Sequence, residues 1–295
     1  MATAMEELKS NNFSGSFEIS QESLSIVNIA IIESRTNDMD LFLEEISDLS
    51  KEIIKSHPNI VSIRKKISPI IYHMKRMAKA GKSLDEIKST ACQKISETIS
   101  NAADNLVKIG NAGAKLIQTN HKVLTISSSS IVKEILISAR KLRRKFTVYC
   151  LESRPQNEGH LLAMMLAEHD IPSVLTTESM MGQVMKDVNM VLCGADRIFE
   201  NGFVNKTGTL PLVVTAKDQG VPVYMAAETD KIMKEIDRSV RSYPESPTEL
   251  TDKKHKNLTV LNYYFESVPL DYVHKIICED GVFDTNEFIT WYLKD

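Results

Sequence analysis

The stretch VLTISSSSIVKEIL, at residues 123–136, joins a short apolar run to four serines and then to a helical pattern. More apolar runs of strand character follow it, and helical stretches lie between most of them. The strand-like runs are FTVYCLE, PSVLTT, NMVLC and VPVYMAAE, and the helical stretches are IVKEILISARKL, EGHLLAMMLAEH and TLPLVVTAKDQ. This alternation, with near-continuous apolar strands, is typical of a parallel sheet covered on both faces. Because crossover connections are right-handed, we predict an α/β fold with a Rossmann-like doubly wound parallel sheet.

The part of the chain before this sheet contains no convincing strand over its first ~115 residues. Apolar residues recur there at helical spacing, with an interruption at the sequence HPN, residues 57–59. A long segment that begins at Ser83 has the serine and glutamate that cap a helix N-terminus. We therefore predict an N-terminal helical bundle, domain 1–117, and a C-terminal Rossmann-like domain, 118–295, that carries the ligand pocket and the oligomer interface.

The composition argues against several classes of protein. The net charge is -3 without a basic stripe, so direct binding of nucleic acid is not expected. No apolar run approaches the ~18 residues needed to span a bilayer, and the N-terminus lacks the apolar core of a secretory signal. The four cysteines are scattered without the spacing of a metal or redox motif, which indicates a reducing compartment. We predict a cytoplasmic protein with no membrane attachment, cofactor or metal ion.

Open α/β sheets bind ligands outside the carboxyl ends of their strands, so the residues that follow the strands are candidates for a site. Ser127, Ser128 and Ser129 follow the first predicted strand, where hydroxyls and helix N-terminal amides would suit an anion. An N-cap formed by Ser129 or Ser130 explains the same serines without a ligand. The chain has neither a P-loop nor a dinucleotide-binding fingerprint, so this segment alone does not identify a phosphate site.

The second strand end carries the sequence ESRPQNEG, residues 152–159. Arg154 suits bidentate capture of a phosphate, and Gly159 permits close approach of the backbone. The alternative is a surface arginine that pairs with Glu152 or Glu158. The residues alone favour neither interpretation.

The fourth strand end carries the longest run of candidate residues, GADRIFENGFVNKTGT. Asp196 ends a buried strand, where an unpaired carboxylate is costly and therefore usually has a function. The Asn-Gly pair at residues 201–202 predicts a tight hairpin. The hairpin brings four further residues to the start of the next helix: Asn205, Lys206, Gly208 and Thr209. Together they predict a phosphate pocket, with a purely structural hairpin and helix cap as the alternative.

This last segment resembles the signature of the initiation factor 2B α/β/δ family, which includes methylthioribose-1-phosphate isomerase and archaeal ribose-1,5-bisphosphate isomerase. Similar segments occur in the family's order along nearly the whole chain: FSGSFEIS, HPNI, NAGAKLI, ESRPQNEGHLLA, PVYMAAETDK, NYYFESVP and CEDG. The resemblance implies an N-terminal helical domain, a C-terminal Rossmann-like domain, and dimers or larger assemblies formed through the C-terminal domain. It does not settle the function, because enzymes and regulatory subunits share this fold.

The resemblance also implies where catalysis would take place. The isomerases have a cysteine after the first strand of the C-terminal domain and an aspartate in the GAD motif. Here the aspartate is Asp196, and Ser127 occupies the cysteine position. A cysteine is readily tuned to a thiolate, whereas a serine hydroxyl needs a dedicated base. The R-G-A element of the isomerases is matched by FSGS, so that Ser14, next to Gly15, stands in place of its arginine.

These departures predict a non-catalytic, initiation factor 2B subunit-like protein that binds a phosphorylated sugar or a nucleotide. It would form a homodimer or hexamer, with initiation factor 2 as a candidate protein partner. The predicted ligand-binding residues are Ser14, Gly15, Ser127, Ser128, Ser129, Arg154, Gly159, Asp196, Asn205, Lys206, Gly208 and Thr209. The alternative is an aldose–ketose isomerase of the ribose-1,5-bisphosphate type, with Asp196 as acid/base and Ser127 polarising the substrate. A catalytic thiol relocated to Cys150 or Cys193, and an assembly scaffold without a ligand, also remain open.

Overall fold

The computed structural model of the chain describes residues 2–11, 15–233 and 243–293. The chain forms two compact units, Met1–Asp104 and Asn105–Asp295. The first is helical and the second contains the sheets, which confirms the predicted α/β class with a helical N-terminal region. None of the helices within the described ranges is both long and apolar enough to cross a membrane.

The N-terminal unit has five helices among its described residues, two of which begin at a side-chain cap. The helices are α1 (Ala2–Ser10), α2 (Ser16–Glu33), α3 (Met39–Ser56), α4 (Val61–Lys79) and α5 (Leu84–Ala114). Asp38 caps α3 by accepting a hydrogen bond from the N–H of Leu41 at 2.9 Å. Before α5, the N–H of Glu86 donates to Ser83 Oγ and the N–H of Ser83 donates to the Glu86 carboxylate, as the sequence predicts. The apolar faces of the N-terminal helices share one buried core, which includes Leu8, Leu24, Phe42, Ile63 and Ile87.

Ten strands are described in the C-terminal unit. They are β1 (Lys122–Thr125), β2 (Thr147–Leu151), β3 (Ser173–Thr176), β4 (Met190–Gly194), β5 (Arg197–Phe199), β6 (Gly202–Lys206), β7 (Val223–Ala226), β8 (Phe265–Pro269), β9 (Lys275–Cys278) and β10 (Gly281–Asp284). Seven of them form one sheet in the order β10-β9-β7-β4-β1-β2-β3, and all of these except β10 run parallel. The predicted doubly wound sheet is therefore confirmed.

Helices cover both faces of this sheet. They are α6 (Ser130–Lys141), α7 (Glu158–Glu168), α8 (Met181–Val184), α9 (Thr209–Asp218) and α10 (Thr285–Phe288). Leu124 belongs to the buried cluster that contains Leu212 of α9, whereas its neighbour Val123 belongs to the cluster that contains Ile135 of α6. Consecutive strand residues point to opposite faces, so β1 is buried on both sides, which explains its continuous apolar sequence.

A smaller antiparallel sheet lies beside the main one in the order β5-β6-β8. β5 and β6 form the hairpin that the Asn-Gly pair predicts. β8 then pairs with the whole length of β6, a contact that sequence reasoning did not predict. Because β6 leads directly into α9, this sheet fixes the segment that carries Lys206 and Gly208.

The end of α5 packs within the C-terminal unit. Ile109 and Ala114 are buried in the same cluster as Ile135. A Cβ added to Gly113 would lie 2.7 Å from Ile135 Cδ1, so α5 approaches α6 closely at this glycine. The two compact units thus divide inside α5, between residues 104 and 105, whereas the boundary predicted from sequence lies at 117.

Candidate functional site

The candidate residues of the C-terminal unit lie where the strand order of the main sheet reverses. β1 is flanked by β4 on one side and by β2 on the other. The register pairs Leu124 with Val191. Extending both strands equally brings Ser127 level with Gly194, just before Asp196. A reversal of this kind opens a crevice at the carboxyl ends of the strands, which is where such sheets bind ligands.

Asp196 is held through its backbone and has a free carboxylate. Its N–H donates to the carbonyl of Val204 at 2.8 Å. The preceding carbonyl, of Ala195, accepts a hydrogen bond from the buried Lys231 Nζ at 2.7 Å. The side chain of Asp196 is half-buried, and no residue within the described ranges bonds or pairs with it. A fixed carboxylate without a protein partner is available as an acid or base.

The serine run combines a helix cap with two further hydroxyls. Ser129 is the N-cap of α6 and accepts from the N–H of Val132 at 3.5 Å, so the cap alternative accounts for this residue. A Cβ added to Gly194 would lie 2.8 Å from Ser129 Oγ, which shows how closely β4 approaches the run. Ser127 and Ser128 precede the cap and are half-buried. Their hydroxyls remain candidates for contact with a ligand.

Arg154 is exposed and has no ion-pair partner in the part of the chain that the structure describes. Neither of the two glutamates weighed as its partners forms an ion pair with it. Glu152 lies 3.9 Å from His160 Nε2, and Glu158 lies 2.8 Å from Lys206 Nζ. The surface ion-pair alternative is therefore wrong, and the guanidinium is available to an anion.

Lys206 is buried against Glu158. The side chains are 3% and 12% exposed, respectively. The ammonium also lies 5.1 Å from the centre of the Tyr264 ring. The other carboxylate oxygen of Glu158, Oε2, is buried and accepts no hydrogen bond from any described residue. The lysine predicted to bind phosphate is thus neutralised by a carboxylate of the chain itself.

Asn205 and Thr209 bond to each other inside the protein. Asn205 Nδ2 donates to Thr209 Oγ1 at 2.9 Å, and Thr209 Oγ1 donates to the carbonyl of Lys206 at 2.6 Å. Both side chains are buried, Thr209 completely. The alternative of a purely structural hairpin and helix cap explains these bonds, because the hydroxyl of Thr209 stabilises the turn into α9.

The amides at the start of α9 are also occupied. The N–H groups of Gly208 and Leu210 donate to Glu266 Oε1 at 2.7 Å and 2.8 Å. Gly208 has a φ of 105°, a conformation that side-chain-bearing residues rarely adopt. A carboxylate of the chain therefore takes the position at this helix N-terminus that an anion would favour. Glu266 was not predicted from the sequence, because it lies on β8, 58 positions away from Gly208.

Gly159 allows α7 to pack closely against the backbone at the end of β2. A Cβ added there would lie 1.8 Å from the carbonyl oxygen of Leu151. Only glycine fits this contact between α7 and β2, as the predicted close approach requires.

The two N-terminal candidates, Ser14 and Gly15, do not belong to the C-terminal unit. Ser14 lies outside the described residues. Gly15 precedes α2 in the N-terminal unit, with an extended backbone at φ -68° and ψ 163°. Their role in ligand binding stays a prediction.

The cysteines are poorly suited to act as nucleophiles. Cys150 and Cys193 are fully buried, and burial raises the pKa of each thiol to about 12. A thiolate is the reactive form, so neither residue supplies one near neutral pH. The alternative of a relocated catalytic cysteine at these two positions is therefore wrong.

An acidic cluster beside Lys206 was missed in the sequence. Glu249 accepts hydrogen bonds from Gln156, Asn262 and the hydroxyl of Tyr264. Burial, followed by the charge of Glu249, raises the pKa of Glu245, while the charge of Lys206 opposes the shift. Burial and the hydrogen bond to Glu249 also raise the pKa of Tyr264. Among the described residues, the surroundings of Lys206 thus hold more carboxylates than cations.

The chain is similar to a protein family and to individual relatives over most of its length. The model of the initiation factor 2 subunit family matches residues 12–285. Ribose 1,5-bisphosphate isomerase of Thermococcus kodakarensis is 28% identical over 285 residues, covering 94% of this chain and 88% of the relative. A putative translation initiation factor eIF-2B subunit 2-like protein of Pyrococcus furiosus is 28% identical over 279 residues, covering 94% of each chain.

Solved structures share the fold over nearly the whole chain. The translation initiation factor eIF-2B of Pyrococcus horikoshii superposes with a TM-score of 0.83 at 24% identity, covering 98% of each chain. The 5-methylthioribose 1-phosphate isomerase of the same organism gives a TM-score of 0.79 at 20% identity, covering 98% of this chain and 86% of its own. At these identities the likeness shows the fold alone.

The relatives correct the prediction of a non-catalytic, subunit-like protein. Ribose 1,5-bisphosphate isomerases of Pyrococcus furiosus and Methanocaldococcus jannaschii also align with 94% and 98% of this chain. The prediction gave decisive weight to Ser127 and Ser14. An unpartnered carboxylate with a neighbouring hydroxyl still provides acid–base chemistry, so these two replacements do not exclude turnover.

Proposed function

Since this chain belongs to the initiation factor 2 subunit family, we propose that it is a sugar-phosphate isomerase of the ribose 1,5-bisphosphate type. It would convert an aldose 1-phosphate into the corresponding ketose. The observation that carries this proposal is the placement of Asp196, a half-buried carboxylate without a described protein partner at the end of β4. The serines that follow the neighbouring β1 lie at the same edge of the sheet.

The reaction redistributes hydrogen without net oxidation. The hydrogen on C2 moves to C1, the C2 hydroxyl becomes a carbonyl by losing its proton, and the ring oxygen gains a proton as the ring opens. One group that accepts the hydroxyl proton and then returns it to the ring oxygen completes the balance. Asp196 suits this role because its backbone is fixed and its carboxylate is not committed to another residue.

Ser127 would act as a hydrogen-bond donor in this reaction. A hydroxyl directed at the C2 oxygen stabilises the negative charge that develops there as the proton leaves. The role differs from that of a thiolate, since a serine hydroxyl stays protonated without a dedicated base.

The substrate phosphates would be bound by Arg154 and Lys206. The unpaired guanidinium of Arg154 suits a bidentate contact with phosphate. Lys206 would exchange its contact with Glu158 for one with phosphate, which supplies a stronger negative charge. The polar edge made by Ser127 and Ser128 would face the sugar.

Phosphorus NMR of the purified protein with ribose 1,5-bisphosphate tests this proposal. We expect the ketose bisphosphate to appear with the wild-type protein, and turnover to disappear in Asp196→Asn. Asp218→Asn makes the same change at an exposed position at the end of α9 and should leave turnover intact. Substrate signals that stay unconverted for hours with the wild-type protein would exclude this reaction.

We also propose that the enzyme is a homo-oligomer, either a dimer or a hexamer. A structural neighbour that covers 99% of this chain is a tetrameric complex of eIF2B β and δ subunits, which supports assembly by this fold. Light scattering coupled to gel filtration measures the mass directly, and a mass of one chain at micromolar concentration would exclude self-association.

A further inference from the structure

Two hydrogen bonds connect the loops that follow β1, β2 and β3. The N–H of Ser127 donates to Ser153 Oγ at 2.7 Å, and the N–H of Ser153 donates to Glu178 Oε1 at 2.7 Å. The hydroxyl of Ser153 donates its own hydrogen to the carbonyl of Leu151 at 3.0 Å. The two amide hydrogen bonds therefore run from Ser127 to Ser153 and from Ser153 to Glu178, with the Glu178 carboxylate as the last acceptor.

Both serines in this series have a left-handed backbone. The φ angle is 65° at Ser127 and 67° at Ser153. Residues with a side chain adopt this conformation only where the surrounding structure holds them in it. Ser153 is 1% exposed, so its hydroxyl and amide are enclosed at the point where they meet the other two residues.

Glu178 is held between the end of β3 and the start of α9. Its Cγ lies 3.6 Å from the place that a Cβ on Gly208 would occupy. A Cβ there would be in ordinary van der Waals contact with Glu178, so the start of α9 lies close beside this side chain.

We propose that Ser153 and Glu178 are positioning residues that fix the conformation of Ser127. Glu178 orients Ser153, and Ser153 holds the Ser127 backbone so that its hydroxyl is directed into the crevice. The inference rests on the role of Ser127 in the proposed isomerase. The hydroxyl and the amide of Ser153 both form hydrogen bonds within the protein. Ser153 therefore acts through Ser127 and not by touching the substrate.

Two substitutions of Ser153 test this proposal, because both remove its hydroxyl but only one relieves the strain of its left-handed backbone. Ser153→Gly removes the hydroxyl but accepts the left-handed backbone, whereas Ser153→Ala removes the hydroxyl and keeps the strain. We expect kcat to fall by about tenfold to a hundredfold in both, with KM changed less than about twofold, because a misplaced group lowers the rate without weakening substrate binding. A kcat of Ser153→Gly equal to that of the wild type would overturn the proposal.

Glu178 is tested in the same way. Glu178→Gln keeps an oxygen that accepts from Ser153 and should retain most of the wild-type kcat, whereas Glu178→Ala should lose as much as Ser153→Gly. A kcat as low in Glu178→Gln as in Glu178→Ala would show that the charge matters and not the hydrogen bond, and would overturn the proposal. Ser173→Gly is the matched control, because Ser173 Oγ donates to the carbonyl of Ala163 at the opposite end of β3.

Hydrogen exchange at the Ser127 amide gives a readout that does not depend on turnover. The bond to Ser153 Oγ should protect this amide in the wild type and in Glu178→Gln. We expect faster exchange in Ser153→Gly and in Glu178→Ala. Unchanged exchange in Ser153→Gly would overturn the positioning role, whereas absence of turnover in the wild type would overturn the isomerase reaction, so the two failures are distinguishable.

Discussion

Lys206 and Glu158 form an ion pair of 2.8 Å that is almost completely buried, although 48 positions separate them in the chain. A buried pair has lost the hydration of both charges, so each partner depends on the other. The pair also occupies the lysine that the proposed substrate would need. Binding of a phosphate therefore requires the ammonium to exchange one negative partner for another.

Replacing the lysine should destabilise the protein strongly. Lys206→Met leaves the Glu158 carboxylate buried without its cation, and we expect the free energy of unfolding to fall by about 3–5 kcal/mol. Urea denaturation measures this change. Lys51→Met is the control, because Lys51 pairs with Asp48 on an exposed helix face and should leave the stability nearly unchanged. Equal effects of the two substitutions would contradict a buried ion pair.

Neutralising the glutamate should strengthen binding of the substrate. Glu158→Gln keeps an oxygen that accepts from Lys206 but removes the negative charge that opposes a phosphate. We expect the Kd for ribose 1,5-bisphosphate to fall by about tenfold, which corresponds to ~1.4 kcal/mol. Calorimetric titration in an Asp196→Asn background measures binding without turnover. Weaker binding in the Glu158→Gln variant would show that the carboxylate contacts the ligand favourably and would contradict this prediction.

The main sheet was predictable because its signals are local. Val123 and Leu124 point to opposite buried faces, so β1 is apolar throughout and stands out in the sequence. The strand-end rule also identified Asp196 and Ser127 as candidates. The same rule applied to β3 would have identified Glu178, which lies two residues after the end of that strand at Thr176.

The pairings within the site were not predictable because they join distant parts of the chain. Glu266 reaches the N–H of Gly208 across 58 positions, from a strand whose sequence shows no link to α9. The sequence motif predicted a phosphate pocket at this helix N-terminus, but β8 brings a carboxylate to its amides. A motif gives residue types in order, whereas the partner of each polar group depends on the tertiary fold.

Alkylating reagents should react with few cysteines of the folded protein. Burial raises the pKa of Cys150 and Cys193 to about 12 and that of Cys278 to about 11, and it also raises the pKa of the partly buried Cys92. The thiols therefore stay protonated near neutral pH and react slowly. We expect iodoacetamide at pH 7.5 to label at most Cys92 in the native protein, and all four cysteines after unfolding in urea, as measured by intact mass. Rapid inactivation with labelling of Cys150 or Cys193 would contradict the buried positions of these thiols.

Glu245 should make the stability of the protein depend on pH. Burial and the charge of Glu249 raise its pKa above the ordinary value of 4.5 in the folded state. The folded protein therefore binds this proton more tightly than the unfolded chain, and the contribution to stability is lost as the pH rises from 4.5 through the folded pKa. Glu245→Gln removes the ionisation, so we expect a higher Tm than that of the wild type at pH 7 and a nearly equal Tm at pH 4.

The measurement is the difference in Tm between variant and wild type at each pH, since other groups titrate over the same range. Glu168→Gln makes the same change at an exposed position at the end of α7 and serves as the control. A Glu245→Gln variant that is less stable than the wild type at pH 7 would mean that the ionised carboxylate stabilises the fold through Lys206. The attraction of Lys206 would then outweigh burial and the repulsion by Glu249, and the pKa of Glu245 would be lowered instead of raised.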